Sequence, residues 1–370
     1  MTILMRNGLR QMVEAASGGQ ATVVFSKRGQ PIYLRRVDKF RVEQMGPNLG
    51  TGVHPAFIVN GREISEFWVG IYPGYVDEGE ILSYPGLPPG TLDYNSAVAA
   101  ARNTGPGFHI ITNAEWAAIA LYAIHAIGGD SDPVHGPDPY GVSTGNPKQY
   151  GRRVDGKAPR DTSSISYTIG GSGPLQWRHD QTEWGIADLV QGISPGTLVT
   201  GLLLRNGEIN IIPNNDAALA STDLSPSSPA WRAIMPDGTL VAPGTAGTLK
   251  YDIPPTASYS NDNVLHTLGV PYLRTQRQTP PWPEEEYQDV AFTSAGLSAL
   301  QKDPGTLSVP SLLHQLLLFP HVTTLTRGSI LVRPYGIRKA ERGWAGLSGL
   351  YAAHLLNSAT SLLRIAYIPV

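Results

Sequence analysis

The stretch Ile111-Thr112-Asn113-Ala114-Glu115-Trp116-Ala117-Ala118-Ile119-Ala120 decides how the rest of the chain is read. Thr112 and Glu115 stand at the spacing of a capping box, in which the Thr hydroxyl and the Glu carboxylate each satisfy a backbone N–H left free at the start of a helix. Beyond them Trp116, Ile119, Ala120, Ala123 and Ile127 recur at helical intervals on one face. The spacing predicts an amphipathic helix packed on a sheet. A second such helix is predicted upstream, with Asp93 as its N-cap, residues 96–101 as its body and Gly105-Pro106 as its stop.

The sheet is announced by two Asn-Gly pairs, Asn60-Gly61 and Asn206-Gly207, which tolerate the positive φ angles of a two-residue hairpin turn. Strand-like residues 57–59 and 63–72 flank the first pair, and residues 201–205 and 208–212 flank the second. Residues 1–45 read as a small N-terminal appendage: a short helix ending at Gly18-Gly19, then strands over 21–25 and 32–37. The remainder, 46–370, reads as one domain of α+β class. Within it, residues 128–182 form a long excursion poor in apolar periodicity, and residues from 213 to about 310 read as a loop-rich insertion with Pro254-Pro255 and Pro280-Pro281-Trp282-Pro283. Residues 312–319 read as a buried helix or strand ended by Pro320, and residues 365–368 as a closing core strand.

Composition narrows the function. The chain of 370 residues carries 16% charged residues and a net charge of -2, so it lacks the basic field that a nucleic-acid partner requires. With no cysteine, disulfides, thiolate metal sites and thiol nucleophiles are all excluded. The opening residues MTILMRNGLRQMVEAASGG contain no unbroken apolar run of a secretory signal, and no later stretch approaches the roughly 18 apolar residues of a membrane helix. Synthesis in the cytoplasm without a signal peptide and without membrane insertion is therefore expected, as for a virion component released by lysis.

Taken in order, five segments resemble the formylglycine-generating-enzyme branch of the C-type lectin fold, as used by variable proteins of diversity-generating retroelements. They are His54-Pro55-Ala56-Phe57, residues 63–70, residues 111–120, Gly185-Ile186-Ala187-Asp188-Leu189, and Arg205-Asn206-Gly207-Glu208-Ile209. Residues 343–352 look like the start of that family's glycine-rich variable segment, placed here at about 343–363, and Ile365-Ala366-Tyr367-Ile368 like its closing strand. Ala366 and Ile368 replace the family's usual Gly and Arg, and residues 190–196 replace its Gly-Asn-Val-Trp-Glu-Trp continuation. The resemblance implies a C-type-lectin-like domain, two helices packed on antiparallel sheets, and a non-catalytic binding role for a hypervariable C-terminal surface. Retroelement mutagenesis of asparagine-type codons cannot produce Lys, Glu, Gln, Met or Trp, and from Gly343 to Val370 only Trp344 belongs to that set.

On this reading Ala345, Leu347, Ser348, His354, Leu356, Asn357, Ser361, Leu362 and Leu363 point outward from loops as ligand contacts, with Trp344 and Tyr351 as scaffold aromatics. The implied partner is a protein or other cell-surface macromolecule, met either by a phage tropism protein or by a cellular variable binding protein; oligomer formation is left open. The enzymes of the same fold are the rival class. Formylglycine-generating chemistry needs cysteines that this chain lacks, and iron-dependent sulfoxide synthases use a His/Glu set on a helical domain not visible here. Glu115 is explained by its capping position, and His54, His109 and His125 show no metal-ligand spacing. No catalytic residue, metal ligand or cofactor is assigned, although Asp130, Asp132, His135 and Asp138 make an oxygen-rich set in the excursion that could hold a structural calcium ion.

Overall fold

A computed structural model of the chain describes residues 2–129, 131–192, 196–252, 270–277, 292–293, 297–303, 307–325 and 327–369. The capping box forms as expected and starts helix α3, Asn113–Ala126; α1 spans Thr2–Ala16 and α2 Tyr94–Thr104. Thr112 Oγ1 accepts from the Glu115 N–H at 3.1 Å, and Glu115 Oε2 accepts from the Thr112 N–H at 2.9 Å. The same two side chains also reach outward. Glu115 Oε1 accepts from Asn215 Nδ2 at 3.0 Å and pairs with His109 Nε2 at 2.9 Å, while Thr112 Oγ1 donates to Asn215 Oδ1 at 2.7 Å. A helix start thus becomes a buried junction between a strand before it and a loop a hundred residues later.

The packing of α3 departs from the one-sided pattern in its sequence. Residues on every face from Asn113 to Leu121 are buried, together with Ala123 and Ile124. The helix is enclosed because the excursion and a later short helix, α4 over Ser311–Gln315, pack against faces that the sheet does not cover. Its companion α2 keeps an amphipathic pattern, burying Tyr94, Ala97, Ala100, Ala101 and Thr104, and Asp93 caps it by accepting from Asn95 and Ser96 at 3.0 and 3.1 Å.

Five strands form an antiparallel sheet in the order Ala21–Phe25, Pro31–Asp38, Glu66–Gly70, Ile365–Tyr367 and Phe108–Ile110. The N-terminal hairpin is therefore no appendage: Pro31–Asp38 pairs along Glu66–Gly70, and the C-terminal strand sits between Glu66–Gly70 and Phe108–Ile110. The hairpin at Asn60-Gly61 is confined to Ile58–Val59 and Arg62–Glu63. Residues 66–70 leave it because Phe67 and Val69 are buried only when that strand joins the five-stranded sheet.

Among the described residues the second sheet has thirteen strands. At its centre Thr197–Arg205 pairs with Glu208–Ile211 across the Asn206-Gly207 turn and with Ile337–Arg342 on its other side, both antiparallel. The described parts of the expected insertion extend this sheet: Arg232–Ile234 and Lys250–Asp252 pair with Glu208–Ile211, and Tyr272–Arg274 pairs with Lys250–Asp252. By contrast, residues 131–182 carry only one short 3-10 turn, Leu175–Trp177, among irregular backbone. The buried run after Pro310 forms a helix of one turn, which stops where Leu317 takes a positive φ. The class is α+β, and among the described residues no helix is long and apolar enough to cross a membrane.

His54 gives this fold a measurable pH dependence. Fully enclosed, its Nδ1 accepts from the Ala56 N–H at 3.2 Å, so Nε2 carries the proton donated to the Gln315 carbonyl at 3.0 Å. Burial holds its protonation down to about 4, from an ordinary 6.5. Between those values the unfolded chain binds the proton and the folded chain does not, so the His54 contribution is complete above pH 6.5 and is lost as pH falls toward 4. In urea denaturation, the stability advantage of wild type over His54→Gln is expected to grow by roughly 3 kcal/mol from pH 4 to 7. A constant difference across that range would contradict the assignment.

Candidate functional site

The C-terminal segment begins where strand Ile337–Arg342 ends. Arg342 is buried, and its guanidinium is divided among backbone and side-chain oxygens of three separate segments. Nε donates to Asn113 Oδ1 at 2.9 Å, Nη2 to the Leu316 carbonyl at 2.9 Å and Nη1 to the Leu317 carbonyl at 3.1 Å, with Ser348 and Gly349 carbonyls at 3.5 and 3.4 Å. Burial pulls its pKa down to about 10, so it stays charged at neutral pH.

Three further groups hold the following turn. Trp116 Nε1 donates to the Leu347 carbonyl at 2.9 Å, Asp132 Oδ2 accepts from the Leu347 N–H at 2.6 Å, and Ser348 Oγ donates to the Arg327 carbonyl at 2.8 Å. Burial pushes the Asp132 carboxyl up to about 6, against the field of Arg327 and the amide hydrogen bonds that favour its charge. Gly343 is required: at φ +82 it packs so closely that a Cβ would lie 2.0 Å from the Leu189 carbonyl oxygen. The backbone from 343 to 349 is thus fixed by side chains from distant parts of the chain.

On that backbone the expected contact residues separate into two groups. Leu347, Ser348, Ser361, Leu362 and Leu363 are buried, which corrects their assignment to an outward surface. The reason is local. Residues 361–362 form a strand between Thr197 and Thr91–Leu92, Leu363 packs into an apolar cluster beside Ile81 and Ile365, and Leu347 lies in the main core. Ser361 Oγ donates inward to Glu341. The others remain reachable: Asn357 is exposed, Ala345, His354 and Leu356 are half-buried, and Ala345 takes a left-handed φ of +60.

Trp344 and Tyr351, expected as scaffold, are half-buried and join this exposed group. Their rings meet edge to face at 5.5 Å between centroids, and the Tyr351 ring meets that of His354 at 4.9 Å. They form a continuous aromatic row, with Leu355 beyond it at 48% exposure.

The floor of the row is charged, and the sequence reading missed it. Glu341, fully buried, places Oε1 3.3 Å from His354 Nδ1 and 3.5 Å from Lys339 Nζ. Lys339 in turn donates to the Ser358 carbonyl. Burial lowers the Lys339 pKa, and Glu341 works against that fall. Burial raises the pKa of Tyr167, from the excursion, and the Glu341 charge adds to that rise. The one available signal was the run Arg338-Lys339-Ala340-Glu341-Arg342, whose charges sit in a strand too central to be solvent-facing. Leu355 was missed because it pairs in sequence with Leu356, and one of two adjacent leucines is hard to assign to water.

The other candidates do not assemble. His109 is committed to Glu115, and His54 to Ala56 and Gln315. Of the proposed calcium set, Asp130 lies outside the described residues, Asp132 holds Leu347, and Asp138 Oδ1 accepts from Tyr140 and Val142 at 2.8 and 2.9 Å. Among the described residues no three His, Asp or Glu side chains are grouped to hold a metal. Compared with known protein families and with curated proteins, the chain matches none.

Chemically, the surface offers ring faces and edges, the aliphatic side chains of Leu355 and Leu356, and the hydrogen-bonding groups of His354 and Asn357. Replacing Arg342 with Met keeps volume and removes the donors that hold the turn. Arg342→Met is expected to cost about 2 kcal/mol or more in stability and to speed amide hydrogen exchange over residues 343–349. Unchanged protection in that turn would contradict the anchoring role.

Proposed function

We propose that the chain is a non-catalytic recognition protein with a C-type-lectin-like fold, whose C-terminal segment displays an exchangeable binding surface for a macromolecule on a cell. The observation that carries the proposal is the division within residues 343–357. Arg342, Trp116 and Asp132 grip the backbone at 347–349 and Arg338 and Lys339 donate to the Ala353 and Ser358 carbonyls, while Trp344, Tyr351, His354, Leu355 and Asn357 extend from it half-buried or exposed. A pre-organised backbone spares a ligand the ordering cost of a loop, and half-buried aromatics are the side chains that supply most affinity at interfaces.

The resemblance to retroelement variable proteins adds the second half of the reading: these outward positions differ among copies of the gene, and a phage tropism role fits the cell-surface ligand. Ala345 is a limit on that variation, because its left-handed backbone disfavours β-branched replacements.

The test uses fluorescently labelled protein and a panel of intact bacterial strains read by flow cytometry. Tyr351→Ala and His354→Ala are each expected to weaken binding at least about tenfold while changing stability by no more than roughly 1 kcal/mol. Binding that survives both substitutions unchanged would overturn the assignment of this surface.

A further inference from the structure

A cleft of 540 Å³ opens between α1 and the five-stranded sheet, lined by none of the residues of the row at 344–357. Its lining includes Arg10 and Glu14 of α1, Val24 of the edge strand, and Glu66, Trp68 and Tyr367. Trp68 and Tyr367 stand opposite each other in strand register, and Tyr367 stands opposite Phe108, so the three rings share one face of the sheet. Phe108 is buried and meets the Tyr367 ring at 4.8 Å between centroids, whereas Trp68 and Tyr367 are half-buried.

The ligand is set by what these groups have left to offer. Trp68 Nε1 donates to Glu66 Oε1 at 3.1 Å, which uses the one hydrogen bond an indole can make and leaves its ring surface for a ligand. Among the described residues Glu66 Oε2 and the Tyr367 hydroxyl make no hydrogen bond. Glu14 Oε1 accepts from Arg10 Nε at 2.7 Å and from Thr22 Oγ1 at 2.6 Å, while Glu14 Oε2 and both Arg10 Nη atoms make none. The Arg10 bond, and after it the Thr22 bond, hold the Glu14 carboxyl below its ordinary range, so it stays charged beside the guanidinium.

Both charge signs line the same cleft. Arg10 opposes the cation that aromatic faces attract, and Glu14 with Glu66 opposes an anion. A neutral ligand that brings C–H groups to the rings and hydroxyls to the carboxylates and guanidinium suits both parts of the lining. A sugar ring has that form: one face presents C–H groups to the negative face of an aromatic ring, and its rim carries hydroxyls that both donate and accept. The cleft is also of the size of small-molecule sites, roughly 300–1,000 Å³.

We propose that this cleft binds a neutral sugar ring of a glycan, with Trp68 and Tyr367 as the stacking platform and Glu66, Glu14 and Arg10 as partners of its hydroxyls. Tryptophan and tyrosine supply the contact area at little cost in side-chain freedom, and the planar carboxylate and guanidinium groups select the hydroxyl pattern. The site is independent of the C-terminal surface.

Saturation-transfer NMR of the full chain tests this with the methyl glycosides of glucose, galactose, mannose and N-acetylglucosamine, and with choline and acetate as charged controls. Saturable transfer to at least one glycoside, strongest at its ring C–H protons, is expected, with none to choline or acetate. Trp68→Leu and Tyr367→Leu are each expected to weaken binding at least about tenfold, and Trp68→Phe, which keeps a ring, to stay within a few-fold of wild type. Glu66→Ala, at a half-buried rim position, is expected to weaken binding several-fold with the thermal unfolding midpoint unchanged, which keeps the test open if a leucine variant does not fold. No saturable transfer to any glycoside in wild type overturns the proposal. Tighter binding of choline or acetate than of every glycoside overturns it too, as does glycoside binding that Trp68→Leu, Tyr367→Leu and Glu66→Ala all leave intact. Tyr351→Ala is expected to leave the titration unchanged, and loss of glycoside binding there would place the sugar on the C-terminal surface instead.

Discussion

The structure depends on one buried guanidinium. Arg342 has no carboxylate partner among the described residues; its charge is shared by the Asn113 side chain at the start of α3 and by carbonyls of Leu316 and Leu317 after α4. Those oxygens belong to the places where the two helices begin and end, positions at which backbone groups lack partners of their own. Arg342 also closes strand Ile337–Arg342, so the same side chain ties the central sheet to both helices and to the turn that follows it. A cation solvated only by fixed dipoles tolerates little displacement, which makes the turn rigid without secondary structure of its own.

Rigidity beneath and freedom above follow from the same geometry. Within the Gly343–Gly349 turn the Leu347 carbonyl accepts from Trp116, the Leu347 N–H donates to Asp132 and the Ser348 hydroxyl donates to the Arg327 carbonyl, and none of these bonds points outward. A second buried arginine repeats the device at the end of the segment: Arg364 donates to the carbonyls of Gly70 and Ala187, both at 2.8 Å, locking the crossing from one sheet to the other. Between these two arginines the chain emerges at residues 344–345 and again over 351–360, and the aromatic row bridges the two. Exchange of side chains there disturbs neither clamp.

Much of the scaffold was legible because its signals are local. The capping box at Thr112, the N-cap at Asp93 and the Asn206-Gly207 turn each depend on residues within a few positions of one another. What was not legible depends on contacts across the chain. Asp132 could be read only as an oxygen-rich loop residue, since its partner Leu347 lies 215 positions away. The pairs Leu355-Leu356 and Leu362-Leu363 look alike in sequence, yet the first straddles the surface and the second is buried, because residues 361–362 lie between two strands, whereas Leu355 makes a single bridge to Arg338. The buried Glu341 and Lys339 were hidden for the same reason: two charges in a central strand make sense only once Ser358, Ser361 and His354 fold over them.

The most direct measurement is a comparison of two libraries displayed on yeast. One randomises Tyr351, His354, Leu355 and Asn357; the other, of equal size, randomises Arg342, Leu347, Leu362 and Arg364. Folded fraction is read by resistance to a protease. If the backbone is fixed from beneath, most members of the first library resist digestion as wild type does and nearly all of the second do not. Equal losses in the two libraries would mean that the outward side chains help hold the fold, and would contradict an exchangeable surface.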